Sequence, residues 1–302
     1  MATVYSDVAV DESGGREALW FYVIACAISW VIWTPLMLEG LGVTDWLEPY
    51  DPEWFYKLAY ARPLNDIDWL SVSGGLGPIL AAVLVTWRFR GGAAVRALIV
   101  RALPGNTGWH WYLIAFSLPL AYHSLAGLIE AALGQPFPLG NRGAGAMTIP
   151  AFLYSVATMT VFIIVEELGW RGVMQPALQR SQSALKAAVI VGLAWGYWHL
   201  PFYINLFFLG SGSALEAALQ VALVPVLTIP FSILLGWLLN STSGSVFVCM
   251  LMHAANNSAY RLFHHSGNAL LWIAIGMWLL ALLVVFGFGA RTLSRKPRFV
   301  LA

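Results

Sequence analysis

Charge is what this sequence has least of. Of its 302 residues, 10% are Asp, Glu, Lys or Arg and 59% are hydrophobic. A soluble domain carries about 25% charged residues, so this chain is not built to turn its surface to water. The net charge of +1 gives no electrostatic argument for nucleic acid. Cysteine is scarce too. Cys26 and Cys249 each fall inside an apolar run and read as small core residues rather than a disulfide; a zinc cluster of cysteines is excluded. No cleavable leader is evident, because residues 1–17 are polar and acidic, unlike a positively charged n-region. Internal repeats and low-complexity tracts are absent by eye.

Apolar stretches of membrane length fill the chain instead. Eight of them approach the roughly 20 residues that a bilayer core requires. They run 18–38, 70–87, 109–133, 148–168, 184–205, 215–239, 244–263 and 269–289. The predicted fold class is all-α: a polytopic integral membrane protein whose single membrane domain covers 1–302. The basic residues orient it. With the N-terminus inside, cytoplasmic segments hold Arg16, Arg88, Arg90, Arg96, Arg101, Arg171, Arg180, Lys186, Arg291, Arg295, Lys296 and Arg298, which is 12 of 16. The outer segments hold Lys57, Arg62, Arg142 and Arg261. The positive-inside rule therefore favours both termini in the cytoplasm. The polar segment 1–17 and the basic tail 290–302 flank the bundle. The basic stretch 88–101 reads as a cytoplasmic loop and topology signal. The acidic, aromatic stretch 39–69 reads as an outer loop lying against headgroups.

Polar groups inside the apolar spans need explaining. Glu166 and Glu167 follow Met159–Val165 directly, and ionisable groups at membrane depth are functional-site hypotheses by default. Arg171 lies four residues after Glu167, on the same helical face and in the favoured order. Glu166 is about 100° away around the helix, so Glu167 and Arg171 read as a structural pair and Glu166 as a carboxylate left for chemistry. The fifth span carries Trp195 and His199, one turn apart. The seventh carries His253 and Asn257, also at i, i+4. With Arg180, Lys186 and Gly244 marking the inner interface, Glu166 lies roughly 21 Å deep, His199 roughly 20 Å, His253 roughly 14 Å and Asn257 roughly 20 Å. Pro176 ends or kinks the fourth helix and brings Glu166 nearer that surface. His110, His123 and Glu130 read as interfacial or bundle-facing residues without matching partners. His264 and His265 read as solvated.

Glu166, Glu167 and Arg171 match Glu-Glu-x-x-x-Arg; Trp195 and His199 match Phe-x-x-x-His with Trp for Phe; His253 and Asn257 match His-x-x-x-Asn. In that order, each on its own span, they resemble the motifs of the CAAX protease and bacteriocin-processing (CPBP, Abi) family of intramembrane endopeptidases, type II CAAX prenyl endopeptidases among them. The resemblance extends to Gly77-Pro78 in the second span. It implies proteolysis within the bilayer, with 148–263 as the catalytic helices. Glu166 and His199 would activate water, and His253 and Asn257 would stabilise the oxyanion. Glu167 and Arg171 would support them, and Trp195 keeps the family's aromatic while adding bulk and an indole N–H. The implied partner is a peptide or protein substrate, prenylated or otherwise membrane-associated, met in the prokaryotic cytoplasmic membrane from a cytoplasmic opening.

Two alternatives use the same residues. Glu166, His199 and His253 form a two-His, one-carboxylate set of the kind that holds catalytic zinc, although the soluble His-Glu-x-x-His signature is absent. The glutamate mechanism needs no cofactor. An intramembrane Glu with His also suits a proton relay in a transporter, or a non-catalytic immunity protein that keeps the residues for stability.

Overall fold

The computed structural model describes residues 12–44, 66–137, 147–210, 213–263 and 268–301. Among them the chain forms helices and no strand, as a backbone without water to bond to requires. In order these are α1 (Glu12–Gly40), α2 (Asp66–Gly74), α3 (Gly77–Arg101), α4 (Trp109–Ala132), α5 (Ile149–Phe162) and α6 (Ile164–Gly169). A π-helical turn (Trp170–Met174) follows, then α7 (Gln175–Leu178), α8 (Ala184–Trp198), α9 (Leu200–Gly210), α10 (Ala214–Ser241), α11 (Val246–Leu262) and α12 (Ala269–Phe288). Four of them start on a side-chain cap. The hydroxyls of Thr148, Ser183, Ser213 and Ser245 accept from the backbone N–H three residues on, which satisfies a donor the helix cannot pair itself.

Six helical stretches among the described residues are long and apolar enough to cross a membrane: 14–40, 68–101, 109–132, 149–178, 214–241 and 269–288. A seventh arises if α8 and α9, bent by 54° at their junction, count as one span. The expected eighth is α11. It has 17 residues and carries His253, Asn256 and Asn257, so it is too short and too polar to qualify alone. Neighbours shelter it: 12 of its 17 residues are buried, and it packs on α4 and α5. Outward faces elsewhere stay apolar, with Val31, Val161, Leu283 and Phe286 exposed as lipid contact demands.

The structure corrects one expectation outright. Residues 88–101 are helical and belong to α3 rather than to a loop. The helix breaks only at Gly91, whose φ of 79° suits glycine. The buried Glu17 ties this end of the bundle together. Arg90 donates to its two oxygens at 2.8 and 2.6 Å, and Arg180 stands 3.6 Å away. The tail folds back over the same end: Gln179 and Asn240 exchange hydrogen bonds and hold the backbone of Thr292 and Phe299. Most of the expected outer loop 39–69, and both His264 and His265, lie outside the described residues.

Ser29 joins the first helix to the site-bearing half. Its hydroxyl donates to Gly74 O at 2.7 Å and accepts from Trp198 Nε1 at 2.7 Å. Trp33 stacks obliquely on Trp198, with ring centroids 4.8 Å apart. Pro78 O comes within 2.9 Å of where a Cβ on Gly169 would stand, so the Gly-Pro pair of α3 lies against the helix that bears the two glutamates.

Candidate active site

Three breaks in otherwise continuous helix set the site. The helix carrying Glu166 and Glu167 pauses at Ile163 and widens into the π-helical turn before α7. Pro176 supplies one cause. It has no N–H, so the Gly172 carbonyl loses its ordinary i+4 donor. Arg101 fills the place, Nη2 donating to Gly172 O at 2.7 Å. π-turns of this kind gather at functional sites. The third break puts His199 at the junction of α8 and α9, where Pro201 cannot continue the hydrogen-bond ladder.

The two glutamates diverge, as their positions on the helix predict. Glu167 is fully buried between a cation and an imidazole. Arg171 Nε stands 3.5 Å from its Oε2, and His253 Nδ1 donates to Oε1 at 2.9 Å. Glu166 is half-buried and takes neither partner. Its Oε2 accepts a hydrogen bond of 2.7 Å from Trp195 Nε1. Trp195 stands edge-on to both imidazoles, at 5.9 Å from His199 and 5.2 Å from His253, and Arg171 lies over its ring at 5.5 Å. His199 Nδ1 lies 3.1 Å from Trp195 O. A carbonyl can only accept, so Nδ1 holds the proton and the Nε2 lone pair is presented away from the backbone in the neutral ring.

A cavity of about 250 Å³ receives these groups, with Glu166, Trp195, His199, His253 and Asn257 all on its wall. Of the expected site residues, then, five share one hollow, while Glu167 and Arg171 stand behind it. Several lining residues escaped the sequence reading. Tyr203 is one turn beyond His199, and Tyr260 is two turns beyond His253. Asn256 sits beside Asn257 and donates to its Oδ1 at 3.2 Å. Asn256 is itself held by Tyr122 Oη, which donates to Asn256 Oδ1 at 2.5 Å, with His123 Nε2 at 3.4 Å. His123 therefore has a partner, as does Glu130, which accepts from Trp272 Nε1 and from Asn268 N. Both corrections have one cause: the partners lie more than 130 residues away in sequence.

Fold and site together define a class: an all-α polytopic integral membrane protein with a cavity lined by Glu, His and Asn side chains of its helices. Residues 148–259, the stretch that carries every motif, match the family described as type II CAAX prenyl endopeptidase Rce1-like. A CAAX prenyl protease 2 of Methanococcus maripaludis is 24% identical over 147 residues, 45% of this chain and 53% of that protein. The chain thus spans about half the length of this curated relative. Both matches are to proteins this chain is similar to, and they support the family resemblance that the motifs carry.

Proposed function

We propose that the protein is an intramembrane endopeptidase that hydrolyses a peptide bond by the glutamate mechanism. One observation carries the proposal: acid, two imidazoles and amide, from three separate helical segments, line a single cavity. Glu166 takes a proton from water, with His199 Nε2 as the second acceptor, and the water oxygen bonds to the scissile carbonyl carbon. The carbonyl electron pair moves onto its oxygen. His253 Nε2–H, present when the ring carries both protons, and the Asn257 amide donate to that oxyanion. Collapse expels the amine, which takes up the proton held by Glu166. Glu167 supports this from behind by fixing His253 through Nδ1.

The family match favours a substrate of the CAAX type: a prenylated or otherwise membrane-associated peptide processed near its C-terminus. The proposed setting is the prokaryotic cytoplasmic membrane, with the cavity reached from the cytoplasm. Zinc is the alternative. Glu166, His199 and His253 would hold it, and it would supply a metal-activated water. The test uses purified protein in detergent with quenched peptides, prenylated and unprenylated, with and without a chelator. Cleavage that survives chelation and disappears in Glu166→Ala is expected. Activity lost to chelator and restored by one divalent ion would transfer the role of Glu166 to a metal. Wild-type protein that cleaves none of the peptides, but drives an uptake into vesicles that Glu166→Ala abolishes, would replace the peptidase with a transporter. Retained biological function in both Glu166→Gln and His199→Ala would leave an immunity or scaffold role.

A further inference from the structure

We propose that Trp195 is a positioning residue: its indole N–H pins one oxygen of Glu166 so that the other is presented to the attacking water. The inference rests on the peptidase assignment and deepens it. Glu166 sits on the short helix α6, bounded by the break at Ile163 and the π-helical turn at Trp170. A glutamate side chain has three rotatable bonds, and nothing in α6 itself selects one rotamer. The anchor comes from another element. Trp195, on α8, donates to Glu166 Oε2 at 2.7 Å and is 8% exposed, so water competes little for the bond.

The anchor is itself held. Its ring meets the imidazoles of His199 and His253 edge-on, Phe231 lies 6.0 Å from it, and the Arg171 guanidinium covers a face. A ring confined on these sides cannot swing with the carboxylate. It fixes the carboxylate instead. The family pattern that the chain resembles has Phe at this position, which supplies the ring but no donor. The indole N–H adds a donor to that ring, aimed at the one acid the proposed chemistry uses. Preorganising a reacting group in this way contributes to turnover rather than to substrate binding.

The experiment separates the N–H from the shape of the ring. Full-length protein in detergent is assayed on a quenched peptide ending in a farnesylated CAAX sequence. The variants are Trp195→Phe, replacement of Trp195 by benzothienylalanine (sulfur in place of N–H, nearly the same shape) and replacement by 5-fluorotryptophan, which keeps the N–H. Both donor-free variants are expected to lose about ten- to hundredfold in kcat with KM within about twofold, as for a hydrogen bond to a charged group, and 5-fluorotryptophan restores it. Wild-type kcat with benzothienylalanine overturns the proposal, and so does a raised KM at unchanged kcat, which would make Trp195 a substrate contact. If Glu166→Gln still cleaves, the glutamate mechanism falls and takes this inference with it. If Glu166→Gln is dead while benzothienylalanine is active, only the inference falls. A reading free of turnover completes the test. The indole N–H resonance of Trp195 in ¹⁵N-labelled protein is expected to shift on Glu166→Gln, and a resonance that stays in place contradicts the bond.

Discussion

Two adjacent carboxylates in one membrane-buried helix meet different fates because 100° of helical rotation separates them. Glu167 turns to Arg171 and His253, with both charged members of the pair fully buried. Glu166 turns to the cavity. The division has a consequence for stability. Arg171→Ala leaves Glu167 a buried charge without its cation, a loss of about 3–5 kcal/mol. Glu166→Gln, at a half-buried position with the Trp195 bond still available, changes stability far less. Melting temperatures of the two variants in one detergent check this, and equal losses contradict it. At this scale the sequence is legible wherever partners are near in the chain. The Glu167–Arg171 pair follows from i, i+4 spacing. The bond from His253 to Glu167 spans 86 residues, and that from Tyr122 to Asn256 spans 134. Helical periodicity relates residues within one helix only, so it does not show Asn256 on the cavity wall or Tyr122 and His123 bonded to it from behind.

Among the elements, breaks matter as much as helices. Composition locates where the apolar spans begin to within a few residues, because twenty apolar residues in a row have few other readings, but two helices run on past the expected ends at 87 and 168 to 101 and 178. It is silent on the interruptions that aim the side chains. Pro176 and Pro201 hint at two of them, the π-helical turn and the junction at His199, whereas the pause at Ile163 and the repair of the Gly172 carbonyl by Arg101 have no local signature. Residues 88–101 show the opposite error: four arginines read as a loop, yet a basic helix extends past the apolar span. Close approach between elements is testable. A Cβ on Gly77 would stand 2.6 Å from the Ala25 carbonyl oxygen and also strike Ser29 Oγ. Backbone cannot yield cheaply there, so Gly77→Ala is expected to part α1 from α3 and destabilise by about 1–3 kcal/mol, the range for an overpacked contact. A melting temperature equal to wild type would show that the interface has slack. A companion change at Gly92, where a Cβ meets nothing within 4 Å, serves as the tolerant control.

For the whole molecule, scarcity of charge determines the class before any motif is considered. An all-α membrane bundle follows from 10% charged residues and repeated apolar runs, and that is the architecture found. The count does not follow so simply. Short, polar α11 survives because other helices, not lipid, surround it, and it brings His253 and Asn257 to the cavity. A helix that would fail alone in lipid is affordable inside a bundle when its polar face lines a hollow. The central claim is that four side chains on this hollow act as one hydrolytic centre. The most direct measurement is kcat/KM on the farnesylated quenched peptide for Glu166→Gln, His199→Ala, His253→Ala and Asn257→Ala, each shown to be folded by its melting curve. Losses of about a hundredfold or more in all four, far from additive when combined, are predicted for groups that work as a unit. Folded Glu166→Gln protein that cleaves at the wild-type rate would contradict the account.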